Sequence, residues 1–386
     1  MDFYTEPERK IEIADRAEVL VAGGGPAGYS AAIAAARNGA DTILVEQFNC
    51  VGGMATSGMM SHFTDGCDSP LFDEMMERVR REKAGVFCPT QGAGRYQICH
   101  ELLKKVLLDM LTEAGVRLRL YTFVCDAIRD GGAVCGVVTE SKSGRKALMG
   151  KIIVDATGDG DVAARAGAEF QLGREGDSLC QPVTLMFRIG GVDYSRAQLP
   201  GSFEHLLDVP KGEIQALARE HLPAPAGHVL VYPTWLPGEV CVNMTNVTGI
   251  DGTSADDLTR AELVCRKQMP EIVLFLREYL PGFEHCYLVA SAQNVGVRET
   301  RHFKGLYTVT PEDIVSGRVF DDWIATRNWF NFDIHNVEGA GLDRNGAQKH
   351  FSARGRYTIP YRACVPEKID GLLLSGRNIS GTHKAH

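Results

Sequence analysis

The glycine pattern Gly23-x-Gly25-x-x-Gly28 constrains this chain more than any other feature. Val19-Leu20-Val21 precedes it, a short apolar run of the kind a buried parallel strand shows. An alanine-rich stretch, Tyr29 to Arg37, follows and ends at Asn38-Gly39, a helix stop. Thr42-Ile43-Leu44-Val45 is a second apolar run and ends in Glu46. Together they read as a β-α-β unit of about 30 residues. The pattern alone is weak. Gly92-x-Gly94 and Gly339-x-Gly341 show how readily glycine pairs arise when glycine supplies 42 of 386 residues. In this context each glycine has a task. Gly23 makes the tight turn, Gly25 lets backbone approach a pyrophosphate, and Gly28 lets the helix pack close to the strand. Pro26 and Ala27 open the helix, whose N-terminus offers unpaired N–H groups and partial positive charge to phosphates. Glu46 is placed to accept hydrogen bonds from ribose hydroxyls. The unit therefore predicts dinucleotide binding.

Composition narrows the class. The length suggests about two domains. Lys and Arg total 41 against 49 Asp and Glu, a formal net charge of −8. That balance argues against a nucleic-acid or anionic-membrane partner, since both favour a basic surface. No stretch approaches the roughly 20 apolar residues that span a bilayer. Met1 to Lys10 lacks the apolar core of a signal peptide. The 11 cysteines are scattered, odd in number and without Cys-x-x-Cys, so no metal-binding run is spelled out. They fit a reducing cytoplasm. The Asn243 and Asn246 acceptor triplets then carry no glycan.

Further elements follow from pattern. Ser69 caps a helix that opens at Pro70 and runs to about residue 84, where Gly85 stops it. Cys99 to Ala114 is an amphipathic helix with the stripe Leu102, Leu103, Val106, Leu107, Met110 and Leu111. Strands over 116–124 and 133–140 flank a Gly131-Gly132 turn in an antiparallel insert. Lys151 to Ala156 is a strand leading into Thr157-Gly158-Asp159-Gly160-Asp161. Strand-like runs at 183–189, 228–233 and 239–247 mark a different region. Ser254-x-x-Asp257 is a capping box that opens a helix through about Leu280, interrupted near Pro270. Thr310-Pro311-Glu312-Asp313 is a second box. Gly371 to Gly376 is a strand running into glycine.

The later segments identify the dinucleotide. Val154-Asp155-Ala156-Thr157-Gly158-Asp159-Gly160-Asp161 resembles the second FAD-contacting segment of the glutathione-reductase-like flavoproteins, and Gly376-Arg377-Asn378-Ile379-Ser380 resembles their third. More specifically, the chain resembles the FAD-dependent oxidoreductase family of that superfamily. The matching pieces are Val51-Gly52-Gly53-Met54-Ala55-Thr56-Ser57-Gly58, Arg298-Glu299-Thr300-Arg301 and Ile359-Pro360-Tyr361-Arg362. The resemblance is firmest over 18–60, 151–170 and 296–386. It implies an α/β fold: a Rossmann-like FAD-binding domain (1–170), interrupted by a β-rich α+β substrate or cap domain (171–300), with a return to the FAD domain over 301–386. It also implies that Gly53, Met54, Ala55 and Thr56 pass beside the flavin ring. Thr157, Gly158, Asp159, Gly376 and Arg377 would line the rest of the cofactor, and Val124 would meet the adenine through its backbone. In the family a further helix follows the final strand-glycine segment, and the sequence stops where that helix would be approached.

Neither a second nucleotide fingerprint nor a Cys-x-x-x-x-Cys redox pair is present, and Cys50 near the ring loop reads as a packed thiol. The reading is a cytoplasmic oxidoreductase that moves a hydride between a small-molecule substrate and the flavin N5, with an anionic or hydroxy compound favoured. The candidates for catalysis are His62, Arg298, His335, Tyr361 and Arg362. Histidine suits proton transfer near neutral pH, and guanidinium suits carboxylate. His302 is a further acid–base candidate, and Arg301, Arg354, Arg356 and Arg377 complete an arginine-rich last quarter. The alternatives are a flavin-binding subunit that needs a partner chain and an NAD-binding dehydrogenase. A homo-oligomer is compatible with all three.

Overall fold

The computed structural model describes residues 2–64, 69–82, 96–203, 205–329, 332–342 and 355–385. The predicted stop at Gly85, the Gly92-x-Gly94 pair and Arg354 lie outside these residues.

The glycine pattern sits where the sequence places it. β1 (Glu12–Ala22) runs into α1 (Pro26–Arg37), and β2 (Thr42–Val45) follows. α2 (Pro70–Glu82) and α3 (His100–Glu113) come next, then β3 (Arg117–Arg119), β4 (Phe123–Asp130), β5 (Ala133–Glu140) and β6 (Lys146–Asp155). These strands form one sheet in the order β3-β2-β1-β6-β5-β4. β1, β2, β3 and β6 are parallel, and β4 and β5 form an antiparallel insert; the strand expected over 116–124 divides into β3, which joins the parallel sheet, and the start of β4. β6 is longer than the apolar run predicted, because its first residues pair with β5 and its last with the tail strand Leu372–Leu374. A right-twisted parallel sheet with a crossover helix between β1 and β2 is Rossmann-like.

Both faces of this sheet are covered. On one, Tyr29, Ile33, Leu44 and Val154 pack with the α3 stripe of Leu102, Leu103, Val106 and Leu107. Burying each such leucine contributes about 1.5–3 kcal/mol relative to exposure. On the other, Leu20, Ile43, Val124, Val137 and Phe303 form a separate cluster. Asp155 closes the end of β6. Its carboxylate accepts from Thr157 N and Oγ1 and from Ala163 N, which fixes the turn into α4 (Asp161–Arg165).

β7 (Phe170–Leu172) then leads to the second region. Here β8 (Phe187–Gly190), the short hairpin of β9 (Asp208–Val209) and β10 (Gly212–Glu213), and α5 (Ile214–His221) come first. β11 (Val231–Pro233), β12 (Val240–Val242), α6 (Ala255–Tyr279) and β13 (Tyr287–Ser291) complete it. The four-stranded antiparallel sheet β11-β12-β8-β13 has its own core, with Phe187, Ile189, Val231, Val242, Ile272, Leu276 and Phe283.

Two local expectations fail here. α6 is continuous through Pro270. Proline removes one backbone donor, but Pro270 is exposed, so the orphaned carbonyl faces water while Met269, Ile272 and Val273 hold the helix to the core. Ser254 does cap this helix by accepting from Asp257 N, yet the Asp257 carboxylate accepts from Asp251 N, so no reciprocal box forms. The Thr310 box does form, at the start of α7 (Pro311–Val315).

β14 (Arg301–Phe303) pairs with β7, and β15 (Trp323–Asn328) pairs with β16 (Tyr357–Pro360). Leu372–Leu374 then returns to the parallel sheet. No helix among the described residues is long and apolar enough to cross a membrane.

Candidate functional site: a dinucleotide cradle and an arginine pocket

The cradle is built by steric necessity. Gly23 has φ +97°, and a Cβ there would stand 2.3 Å from Ala156 O. Only glycine takes that turn beside β6. A Cβ on Gly28 would stand 1.9 Å from Gly23 O, so α1 packs on its own turn only without a side chain. Gly25 differs, because a Cβ there meets no atom within 4 Å. It opens space at the start of α1. That helix begins with Pro26 at its first position and no side-chain cap, which leaves first-turn N–H groups for an anion.

The remaining predicted cofactor residues converge on this opening. A Cβ on Gly53 would lie 3.0 Å from Gly25 Cα, and Gly52 N donates to Gly24 O at 2.7 Å. The loop Gly53–Ala55 is therefore pressed against the turn, with Met54 half-buried and Thr56 buried and donating to Val51 O. Asp159 accepts from Arg377 Nη2 at 2.9 Å and from Thr300 Oγ1 at 2.7 Å. Gly158 gives Arg377 its room, since a Cβ there would stand 2.7 Å from Nη2. Arg377 Nη1 is buried without a partner. Gly376 backs onto Ala27. Thr157 donates to Asp155 and so holds the turn beneath.

Glu46 ends β2, buried, and its two oxygens accept from Gly24 N and Phe48 N. Burial pushes its carboxyl above the usual range, against those hydrogen bonds. Thr122 N donates to Glu46 O, so the segment entering β4 at Val124 passes this end of the cradle. The Val124 side chain itself is turned into the core. An opening with bare helix N–H groups, an orphaned guanidinium nitrogen and a carboxylate at the far end fits FAD.

A second cavity, of about 400 Å³, adjoins the first. Gly376, Arg377, Arg298, Asp333, Phe332 and Tyr357 are among its walls. Met54 reaches from the ring loop to Gly296, two residues before Arg298, and Gln293 N donates to Ser57 O. The Arg298 side chain makes one hydrogen bond, Nη2 to Thr184 Oγ1 at 3.2 Å, and its Nε is buried without a partner. Among the described residues it makes no ion pair. Burial pushes its pKa down, an effect that nearby Asp333 and Tyr232 oppose.

Of the predicted catalytic residues only Arg298 lines this cavity; the charge of Arg298 reaches His335 behind the wall, and His62 meets Tyr232, which faces Arg298. His335 is buried, with Nε2 3.7 Å from Asp333 Oδ1 and its ring edge-on to Phe203. Burial, then the charge of Arg298 and of His228, holds its pKa well below the usual value. His62 Nδ1 is 2.7 Å from Ser61 Oγ, and its ring lies 5.0 Å from that of Tyr232. Burial also lowers its pKa. Tyr232 faces Asn243 and Arg298, and burial pushes its phenol up to about 12.

Tyr361 and Arg362 depart from the expectation, since neither lines this cavity. Both are exposed, and Arg362 is paired with Asp322 at 2.9 Å and Asp321 at 3.2 Å. Two neighbouring aspartates satisfy that guanidinium on the surface. Arg356 is exposed as well. Arg301 pairs with Asp161 at 3.0 Å, a structural role. Cys50 is buried against Ser57.

Sequence reasoning missed His228, Tyr232 and Asn243. A period-2 reading of 228–232 puts His228 and Tyr232 on one strand face, and the pairing of β11 with β12 sets Asn243 across from them. It also flagged His302 singly, as an acid–base candidate, without joining it to Glu299 and His383. These three buried side chains meet through hydrogen bonds from His302 Nε2 at 2.7 Å and His383 Nδ1 at 2.5 Å to one Glu299 oxygen.

Buried histidines set an acid limit. Burial holds His100 and His228 near pKa 4, against an ordinary 6.5. A lowered folded pKa favours the fold while the ring is neutral. That contribution is complete above pH 6.5 and is lost as pH falls toward 4, because the unfolded chain takes up protons that the fold refuses. The loss is on the order of 3 kcal/mol per ring at pH 4. Thermal melts are expected to show Tm falling steadily from pH 6.5 to 4, with a shallower slope in His228→Gln.

The family described as FAD dependent oxidoreductase matches residues 18–386. The chain belongs to that family of flavoenzymes, and FAD is its cofactor. Over 148 residues it is 28% identical to digeranylgeranylglycerophospholipid reductase 2 of Methanopyrus kandleri, covering 36% of this chain and 37% of that one. Over 181 residues it is 30% identical to thiamine thiazole synthase of Aeropyrum pernix, covering 43% of this chain and 62% of that one. The chain thus spans less than two thirds of these curated relatives. Among solved structures, a geranylgeranyl bacteriochlorophyll reductase-like protein from Thermoplasma acidophilum aligns with a TM-score of 0.46 and 18% identity, over 76% of this chain and 68% of that one.

Proposed function

We propose that the protein moves a hydride between FAD and a small anionic hydroxy or oxo compound held by Arg298. The observation that carries this reading is the half-buried Arg298, whose buried Nε lacks a partner and which makes no ion pair among the described residues, on a cavity that also touches Gly376 and Arg377 of the cradle. A buried cation without a counter-ion is costly. A carboxylate in its forked reach removes that cost and fixes the substrate's orientation.

When bound, FAD supplies the hydride acceptor or donor, chemistry that no side chain provides. Oxidation of a secondary alcohol also releases the hydroxyl proton, and a base must take it. The role is assigned to His335 at Nε2, which lies behind Asp333 of the cavity wall. It is neutral at physiological pH, and Asp333 stands 3.7 Å away to stabilise the imidazolium that forms. In the reverse direction the same nitrogen returns the proton to the carbonyl oxygen. Phe332 and Ile314 supply apolar wall to the cavity, which keeps the Arg298 interaction out of bulk water.

Anaerobic mixing of the flavin-loaded protein with matched pairs of hydroxy acids and uncharged alcohols tests this. Bleaching of the flavin by hydroxy acids alone is expected. Equal bleaching by the uncharged partners would remove Arg298 from substrate recognition.

A further inference from the structure

Outside the cradle and the arginine pocket, the described residues gather one other set of His, Cys and carboxylate groups close enough to share an ion. Glu299 precedes β14, His302 lies within it, and His383 reaches in from the tail. All three are buried, and one ligand-type atom from each lies within 4.8 Å of the others. The second Glu299 oxygen is held by Gln181 N at 2.8 Å, which fixes the carboxylate's direction. A separate cavity of about 240 Å³ opens against His302 and His383, with Lys304, Glu169 and Thr308 among its other walls.

From this geometry we infer that Glu299, His302 and His383 form a binding site for a divalent first-row transition metal. Two imidazole nitrogens and one carboxylate oxygen are a ligand set that suits zinc, cobalt, nickel or iron(II). Magnesium and calcium want oxygen donors throughout. The two imidazole nitrogens now present their protons to the same oxygen, and the ion takes the place of those protons. Ligand atoms at 2.5 and 2.7 Å must part by less than about 1 Å to admit bonds of roughly 2.1 Å. His383 lies outside any helix or strand, just past Thr382, whose N–H is held by Val309 O. Three protein ligands leave at least one coordination position, which faces the cavity and takes water or a small anion. The Gln181 link supplies the orienting outer contact that metal carboxylates use, and its side-chain oxygen accepts from His335 N, joining this site to the arginine pocket. Thr300, next to Glu299, bonds Asp159 of the cradle.

The test is equilibrium dialysis of the flavin-loaded protein against Zn²⁺, and separately Co²⁺, with bound metal and bound flavin both quantified. About one equivalent of metal per chain is expected, with a saturable rise in Tm. His383→Ala and Glu299→Gln are expected to weaken binding at least about tenfold with flavin content unchanged. His383→Cys, which keeps a ligand, is expected to retain zinc. A wild-type protein that holds neither metal would overturn the inference. So would metal binding that persists at full strength in the two weakening variants, since the cysteines would then be the ligands. Flavin content reports on the cofactor reading independently, so the two can fail separately.

Discussion

Replacing Arg298 with methionine is expected to abolish anion binding and turnover while raising the stability of the unliganded protein. The two effects have one cause. Arg298 is half-buried, with a single hydrogen bond to Thr184 and a buried, orphaned Nε. Without its anion the fold carries a partly desolvated charge that nearby Asp333 offsets only in part, and a methionine of similar length fills the space without that cost. With the anion present, the lost fork leaves a buried carboxylate unpaired, worth about 3 kcal/mol or roughly a hundredfold in Kd. The measurement is the perturbation of flavin absorbance by a series of small carboxylates, alongside Tm of the free protein. Arg298→Lys keeps the charge but not the fork, and is expected to fall between. A methionine variant that melts lower and still binds the same anions would show Arg298 to be structural.

Gly25→Ala is expected to lose FAD and keep the fold. Gly25 sits at φ −66°, which alanine accepts, and its added methyl meets nothing within 4 Å. Stability of the FAD-free protein should therefore change by less than about 0.5 kcal/mol. The methyl stands instead in the opening at the start of α1, where backbone must approach the pyrophosphate. A loss of at least about tenfold in FAD affinity is expected by flavin fluorescence titration. Gly28→Ala is the control with the opposite signature. Its methyl would meet Gly23 O at 1.9 Å, an overpacking that costs stability by about 1–3 kcal/mol as well as flavin. If Gly25→Ala binds FAD as tightly as the wild type, the close approach is not made there.

The parts of this fold legible from sequence are those whose causes are local. The β1-α1-β2 unit is written in adjacent residues, because a tight turn, a close helix and two buried strands each demand a residue type at a fixed offset. The Thr310 box is local in the same way. Where partners come from distant segments, the sequence gave less away. Arg298 and Arg362 look alike in a one-dimensional reading. Only the fold shows that Asp321 and Asp322 sit beside one and that, among the described residues, no carboxylate pairs with the other. Pro270 reads as a helix breaker until its exposed face is known. Tyr232 and His228 had a signal in strand alternation, but their relation to Arg298 depends on how the second sheet meets the ring loop. Glu299 and His302 are three residues apart, whereas His383 arrives 84 residues after Glu299, a spacing that suggests nothing by itself.

All of this rests on the cradle at Gly23–Gly28 holding FAD. The direct measurement is the visible absorption spectrum of the purified protein after incubation with FAD and desalting. Retention of about one equivalent, with the oxidised-flavin bands shifted from those of free FAD, is the result predicted. A protein that emerges colourless would contradict the account at its base, and the Arg298 pocket would then have no hydride partner beside it.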